Sequence, residues 1–330
     1  MASAMTPKEV SLDIPPFLQV FNDGTFIRLV SSEVVPPGLD NSTSVLSKDI
    51  HVRVPDSAST LSARIYVPSS ALLASPPPKL PLILYFHGGG FLACSTALAN
   101  YHNSLNAISS RSDTIIVSFD YRLCPEHPLP SAYDDSWASL LWILSQSKPE
   151  TPNRDPWLEQ NADFSNIFLA GDSCGANIAH HLALRSFQSL PWFSFEGMIM
   201  INPYFWGKEP IGREKEEHSR RRMVDLWWQF VCPSDKGNDD PLINPFVGGK
   251  CPEGMTSMPV SRVMVTVAGE DILRDRGRLY FEMLKEKSGW KGKAEILETD
   301  DAEHVFHIFD HESDKAKDMF KGLAHFIHKN

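Results

Sequence analysis

Few folds are open to a chain that places Gly171-Asp172-Ser173-Cys174-Gly175 between an apolar run and a helical pattern. The run Asn166-Ile167-Phe168-Leu169-Ala170 predicts a buried strand, and Ala176 to Arg185 predicts a helix. A G-x-S-x-G turn between strand and helix projects its serine above the sheet as a nucleophile elbow. Small residues belong there because strand and helix approach closely at so sharp a turn. Ser173 is therefore the candidate nucleophile. The pattern is short enough to arise by accident, so the rest of the chain must carry the weight.

Two further segments do so. His87-Gly88-Gly89-Gly90-Phe91 follows the apolar run Leu82-Ile83-Leu84-Tyr85-Phe86. Consecutive glycines after a strand bare their backbone N–H groups, and paired N–H donors stabilise a developing oxyanion. Beside an elbow, such a loop supplies one half of the hole, and the N–H after the nucleophile supplies the other, here that of Cys174. Next, Val263 to Ala268 reads as a strand ending in Gly269-Glu270-Asp271, and Ala294 to Leu297 as a strand before Asp300-Asp301-Ala302-Glu303-His304. A serine nucleophile needs a base and an acid that orients it. Asp271 and His304 follow Ser173 in the order expected of α/β-hydrolases. Glu270 is a rival acid, one step less deep in its loop. His307 and His311 are rival bases. Asp275 reads as the start of a surface helix.

With Asp120 to Pro130 (DYRLCPEHPLP), GDSCGAN, GEDILRD and EHVFH, the chain resembles the plant carboxylesterase family from about Leu12 to its C-terminus. This is the plant branch of the hormone-sensitive-lipase-like α/β-hydrolases. The resemblance implies an α/β-hydrolase fold, with a mostly parallel, doubly wound sheet and a helical lid built from about residues 1–30 and 204–235. It implies Ser173 as nucleophile, Asp271 as acid, His304 as base, and Gly88, Gly89 and Cys174 as oxyanion donors. The substrate implied is a small-molecule ester or specialised metabolite, with no cofactor and no metal.

Some positions depart from the family pattern. Cys174 and Cys124 stand where alanine is usual, and neither change removes a catalytic atom. Gibberellin receptors of the family lack the histidine, which is His304 here. Segments such as Pro203-Tyr204-Phe205-Trp206-Gly207 and Ser288-Gly289-Trp290-Lys291-Gly292 resemble the 2-hydroxyisoflavanone dehydratase-like branch, whose nucleophile position is threonine rather than Ser173. Some alkaloid cyclases keep the serine and lose the histidine. A complete Ser173, Asp271 and His304 favours hydrolysis, with a dehydratase or cyclase as the alternative and a small-molecule receptor behind both.

Composition agrees with an enzyme of one domain spanning 1–330. The chain has 330 residues, 42% of them hydrophobic, enough for a large core. A formal net charge of −10 disfavours nucleic acid and anionic membrane surfaces. Five cysteines without C-x-x-C spacing read as reduced thiols, and with no signal-like start they predict a cytoplasmic protein. Short apolar runs at Thr114 to Phe119 and Met198 to Ile201 alternate with helical patterns at Asp134 to Leu144 and Gly277 to Lys287. Ile50 to Val54 and Ala63 to Val67 alternate like antiparallel strands. Between Tyr204 and Pro233, the charged run Arg213 to Arg222 reads as a solvated helix face, while Leu226-Trp227-Trp228-Gln229-Phe230 is either core or the lining of a lid.

Overall fold

The computed structural model describes residues 8–30, 33–53 and 60–329. The strands are β1 (Val10–Ile14), β2 (Leu18–Phe21), β3 (Phe26–Arg28), β4 (Leu39–Asp40), β5 (Val45–Arg53), β6 (Thr60–Pro68), β7 (Leu80–Phe86), β8 (Ile115–Phe119), β9 (Ala162–Asp172), β10 (Phe195–Ile201), β11 (Val260–Ala268) and β12 (Lys293–Thr299). The helices are α1 (Ser69–Leu73), α2 (Ala99–Ser112), α3 (Ser131–Gln146), α4 (Pro156–Asn161), α5 (Cys174–Ser189), α6 (His218–Val231), α7 (Arg274–Glu282), α8 (Phe306–Phe309) and α9 (Asp314–His328).

Nine strands form one sheet in the order β12-β11-β10-β9-β7-β8-β6-β5-β4. From β8 to β12 every neighbouring pair is parallel, and β4, β5 and β6 add an antiparallel edge. The chemistry of the strands explains this. β7 (LPLILYF) and β8 (IIVSF) are buried at every position, as strands covered on both faces must be. The covering layers follow from helical periodicity. α9 buries Ala316, Met319, Phe320, Leu323, Phe326 and Ile327, a single stripe, against one face of the sheet. On the opposite face, α5 buries Ala176, Ile178, Ala179, Leu182 and Ala183.

Register levels the ends of the strands. Phe86 of β7 pairs with Gly171, Asp172 of β9 with Ile201, and Ala268 of β11 with Thr299. The loops carrying Gly88, Ser173, Asp271 and His304 thus all leave one carboxyl edge, where open α/β sheets gather their functional groups.

The predicted strands and helices coincide with observed ones, with two differences at the ends: Thr114 stands just before β8, and the helix expected over Gly277 to Lys287 is the end of α7 continued by a π-helical turn, Met283–Lys287. The antiparallel strands expected at Ile50 and Ala63 are β5 and β6, which pair with Ile50 opposite Ala63; Val54 lies outside the described residues. The expectation of a helical lid is corrected. Within the described part of 1–30, β1, β2 and β3 form a separate three-stranded antiparallel sheet. Only α6 supplies a helix of length to the 204–235 segment, whose earlier part is loop and one 3-10 turn, Gly212–Lys215. Ser11, Asp13 and Gln19 spaced among apolar residues give period-two patterning, which sheet pairing uses and a helix does not.

The charged run is also not simply a solvated face. Glu214 is fully buried and accepts from Arg276 Nε at 2.7 Å and Nη2 at 2.8 Å. Asp275, expected on a surface helix, is largely buried and accepts the Arg213 backbone N–H at 2.9 Å. The aromatic run divides by helix face: Trp228 is core, while Trp227 turns to the cavity described below. All five cysteines are free thiols, and no described helix is long and apolar enough to cross a membrane.

Candidate active site

β9 ends at Asp172 and α5 begins at Cys174, which leaves Ser173 alone on the turn with φ 54° and ψ −119°. A non-glycine residue rarely adopts such angles, and here the surroundings enforce them. The Ser173 backbone N–H donates to Ile201 O at 2.8 Å, and its carbonyl accepts from Tyr204 N at 2.9 Å. A Cβ added to Gly175 would stand 1.9 Å from the Phe86 carbonyl oxygen, so only glycine permits helix and strand to meet this closely.

The turn aims Ser173 Oγ at His304 Nε2, 3.0 Å away, and His304 Nδ1 lies 2.6 Å from Asp271 Oδ2. Asp271 is buried, and its other oxygen accepts the Leu273 N–H at 2.9 Å, which fixes the carboxylate plane. Burial works to lower the His304 pKa, but the charge and hydrogen bond of Asp271 outweigh it, so the imidazole titrates above its ordinary value. Among the rivals, Glu270 is turned outward to Arg213 Nη2 at 3.0 Å. His307 is fully buried with neither ring nitrogen hydrogen-bonded to a described residue, and burial, then His304, pushes its pKa down to about 3. His311 lies beside Glu312 at 3.8 Å.

The glycine loop divides the expected donors. Gly89 lines the cavity, and its N–H meets no acceptor among the described residues. Cys174 is the first residue of α5, a position whose N–H has no intrahelical partner. Gly88 is different. Its N–H donates to Tyr101 Oη at 2.8 Å and Asp172 Oδ1 at 3.0 Å, pointing it into the body of the protein. The expectation for Gly88 is thereby corrected: its donor is already consumed by a buried carboxylate and phenol.

Asp172 is a residue that motif reading passed over although it stands inside the pentapeptide. It is fully buried, accepts from Tyr85 Oη at 2.8 Å and Tyr101 Oη at 2.9 Å, and so ties the elbow to the glycine loop. Burial raises its pKa against the lowering effect of the two tyrosines. The Cys174 thiol accepts the Phe91 N–H at 3.4 Å and lies 3.4 Å from Tyr121 Oη. Burial pushes that thiol up to about 12, so it stays neutral and acts as packing against the loop.

Above these groups is a cavity of about 630 Å³. Ser173 and His304 lie on its wall, together with Phe17 from the N-terminal sheet, Trp227 from α6, and Ile308 and Phe309 after the histidine. Phe17 and Trp227 meet edge to face, with ring centroids 5.0 Å apart. The N-terminal sheet is fastened by Arg28, whose Nε donates to Leu92 O at 2.7 Å and whose guanidinium pairs with Glu126 at 2.6 Å. Among the described residues no cluster of histidine, cysteine and carboxylates has metal-ligand geometry.

The chain matches known proteins over nearly its whole length. The profile of the alpha/beta hydrolase fold family matches residues 83–308. The chain is 51% identical to "Probable carboxylesterase 2" of Arabidopsis thaliana, covering 98% of each chain. It is 39% identical to the 2-hydroxyisoflavanone dehydratase of Glycyrrhiza echinata, again over 98% of each. Among solved structures it is similar to EstE1, a thermostable carboxylesterase cloned from a metagenomic library, with a TM-score of 0.69 and 25% identity over 90% of each chain. The chain belongs to the alpha/beta hydrolase fold family, and within it to the plant carboxylesterases.

Proposed function

We propose that this protein is a serine carboxylesterase that hydrolyses small carboxylic esters through an acyl-enzyme on Ser173. The observation that carries the reading is the chain of contacts from Ser173 Oγ to His304 at 3.0 Å and on to Asp271 at 2.6 Å, opening into an apolar cavity. Similarity to proteins named carboxylesterase supports it.

In this mechanism Ser173 Oγ attacks the ester carbonyl while His304 Nε2 takes its proton. Asp271 holds Nδ1–H, which keeps the reactive tautomer and stabilises the imidazolium. The N–H groups of Gly89 and Cys174 receive the oxyanion; one such donor is typically worth about 3 kcal/mol of barrier. His304 then protonates the leaving alcohol. Water, deprotonated by the same imidazole, attacks the acyl carbonyl and frees the acid and Ser173. The N-terminal sheet and α6 act as a lid that keeps bulk water from the acyl-enzyme.

The test pairs mass spectrometry after brief organophosphate treatment with turnover of p-nitrophenyl esters of graded acyl length. We expect one adduct, on Ser173, and Ser173→Ala to lose turnover by at least about 10⁴-fold while remaining folded. Substantial turnover by Ser173→Ala would remove the assignment.

The 39% identity to a 2-hydroxyisoflavanone dehydratase supports a second reading, elimination from a specialised metabolite with His304 as base and no acyl-enzyme. An organophosphate adduct without ester turnover would favour it.

A further inference from the structure

We infer that Arg220 is a positioning residue for the Asp271–His304 pair, a guanidinium on α6 that ties the loop before the acid to the loop before the base. The inference rests on the esterase reading above and extends it to how the lid and the catalytic groups communicate.

The geometry is unusual in what it joins. Arg220 Nη1 donates to the backbone carbonyl of Glu270 at 3.1 Å, one residue before Asp271. Its Nη2 donates to Glu303 Oε2 at 3.3 Å, one residue before His304. A third contact, Nη1 to Glu217 Oε2 at 3.0 Å, braces the side chain on its own segment. One planar fork thus spans two loops that leave different strands, β11 and β12, a geometry that arginine can supply and lysine cannot. Arg213 strengthens the acid side alone, through Gly269 O and Glu270. Of these two arginines, Arg220 reaches the base side as well, beside the backbone tie of Glu270 N–H to Ala302 O at 2.9 Å.

The same helix carries Trp227, which lines the cavity. The cavity wall and the acid–base pair are therefore joined through one helix, α6. Arg220 also contributes charge. Burial disfavours the His304 imidazolium, Asp271 and Asp172 favour it, and Arg220 disfavours it; the neutral His307 packs nearby and Glu303 precedes His304 in the chain. Removing Arg220 removes a positive charge that opposes the two carboxylates, so the His304 pKa rises. The base must be neutral to act, so the acidic limb of kcat/KM moves to higher pH.

The experiment measures pH profiles of kcat/KM, and kcat and KM separately, for p-nitrophenyl acetate and a long-acyl ester in wild type, Arg220→Met, Arg220→Lys and Ser173→Ala. Arg220 is partly exposed, so the fold tolerates its loss, which the melting temperature verifies. For Arg220→Met we expect kcat to fall about five- to tenfold with both esters, KM for the acetate to change less than about twofold, and the acidic limb to rise by a few tenths of a pH unit. Arg220→Lys keeps the charge without the fork, so its limb stays at the wild-type pH while part of the kcat loss persists. The inference is overturned if Arg220→Met keeps kcat within about twofold and its limb in place, or if only KM for the long ester changes. Ser173→Ala separates the levels: an inactive Ser173→Ala beside an unaffected Arg220→Met sinks this inference alone, whereas an active Ser173→Ala sinks the esterase reading beneath it.

Discussion

The elbow and the N-terminal sheet meet across one cavity but are packed to different degrees. At the elbow every residue from Phe168 to Asp172 is buried, a missing Cβ at Gly175 is required by the Phe86 carbonyl, and Asp172 is held by two tyrosines and the Gly88 N–H. In the N-terminal sheet only one end is buried so deeply: Ile14 and Leu18 join the main core, while Ile27 is 47% exposed. That sheet is fastened by Ile14 and Leu18 in the core, by the Arg28 contacts with Leu92 and Glu126, and by the meeting of Phe17 with Trp227. Exposed ion pairs contribute about 0–1 kcal/mol each, whereas a fully buried large apolar side chain contributes about 1.5–3 kcal/mol. Close packing leaves the reacting atoms a single geometry. The N-terminal sheet keeps part of its apolar surface open, which the lid proposed above would use to accept different acyl groups. The two arginines of the 213–220 segment are where that lid touches the loops of Asp271 and His304.

The contrast can be broken at either end. The largest effect belongs to the rigid region: Asp271→Asn preserves packing but presents the wrong hydrogen-bond pattern to His304 Nδ1, and kcat should fall about 10³- to 10⁴-fold. Activity near wild type would mean that Glu270 serves as the acid, against its outward pairing with Arg213. An intermediate and selective effect is expected from the lid. Trp227→Ala should raise KM about tenfold for long-acyl esters and leave p-nitrophenyl acetate within about twofold, because only the longer chain reaches the ring. Equal losses for both esters would place the lid in the chemistry itself. The smallest effect is expected at the residue after the nucleophile. Cys174→Ala retains the backbone donor and removes only a neutral thiol, so kcat/KM should stay within about threefold, with about 1 kcal/mol of stability lost with the Phe91 contact. A loss of hundredfold or more would show the thiol shaping the oxyanion site.

Much of this was legible in the chain. Apolar runs at Leu82, Ile115, Ile167 and Val263 can be little other than strands covered on both faces, and the G-D-S-C-G turn between strand and helix located the nucleophile. Asp271 and His304 were readable from their order and from the strands before them, and the structure brings both to Ser173. What was misread depended on partners distant in sequence. Gly88 looked like a free donor because a glycine run carries no sign of Asp172 and Tyr101 waiting beneath it. Arg213 to Arg222 looked solvated because charge alone does not reveal that Glu214 is buried against Arg276, 62 residues on.

The sequence by itself determined the covalent order and the local periods: which segments are strands, where the sharp turn falls, and which three residues can share a proton path. Those follow from short-range sterics and from the alternation of apolar groups. Only the tertiary structure decided which N–H groups remain unbonded, which charges lose water, and which loops a single guanidinium joins. Those outcomes depend on strand register and on helices laid over the sheet edge, and hydrogen-bond satisfaction is settled there, among groups that the chain keeps far apart.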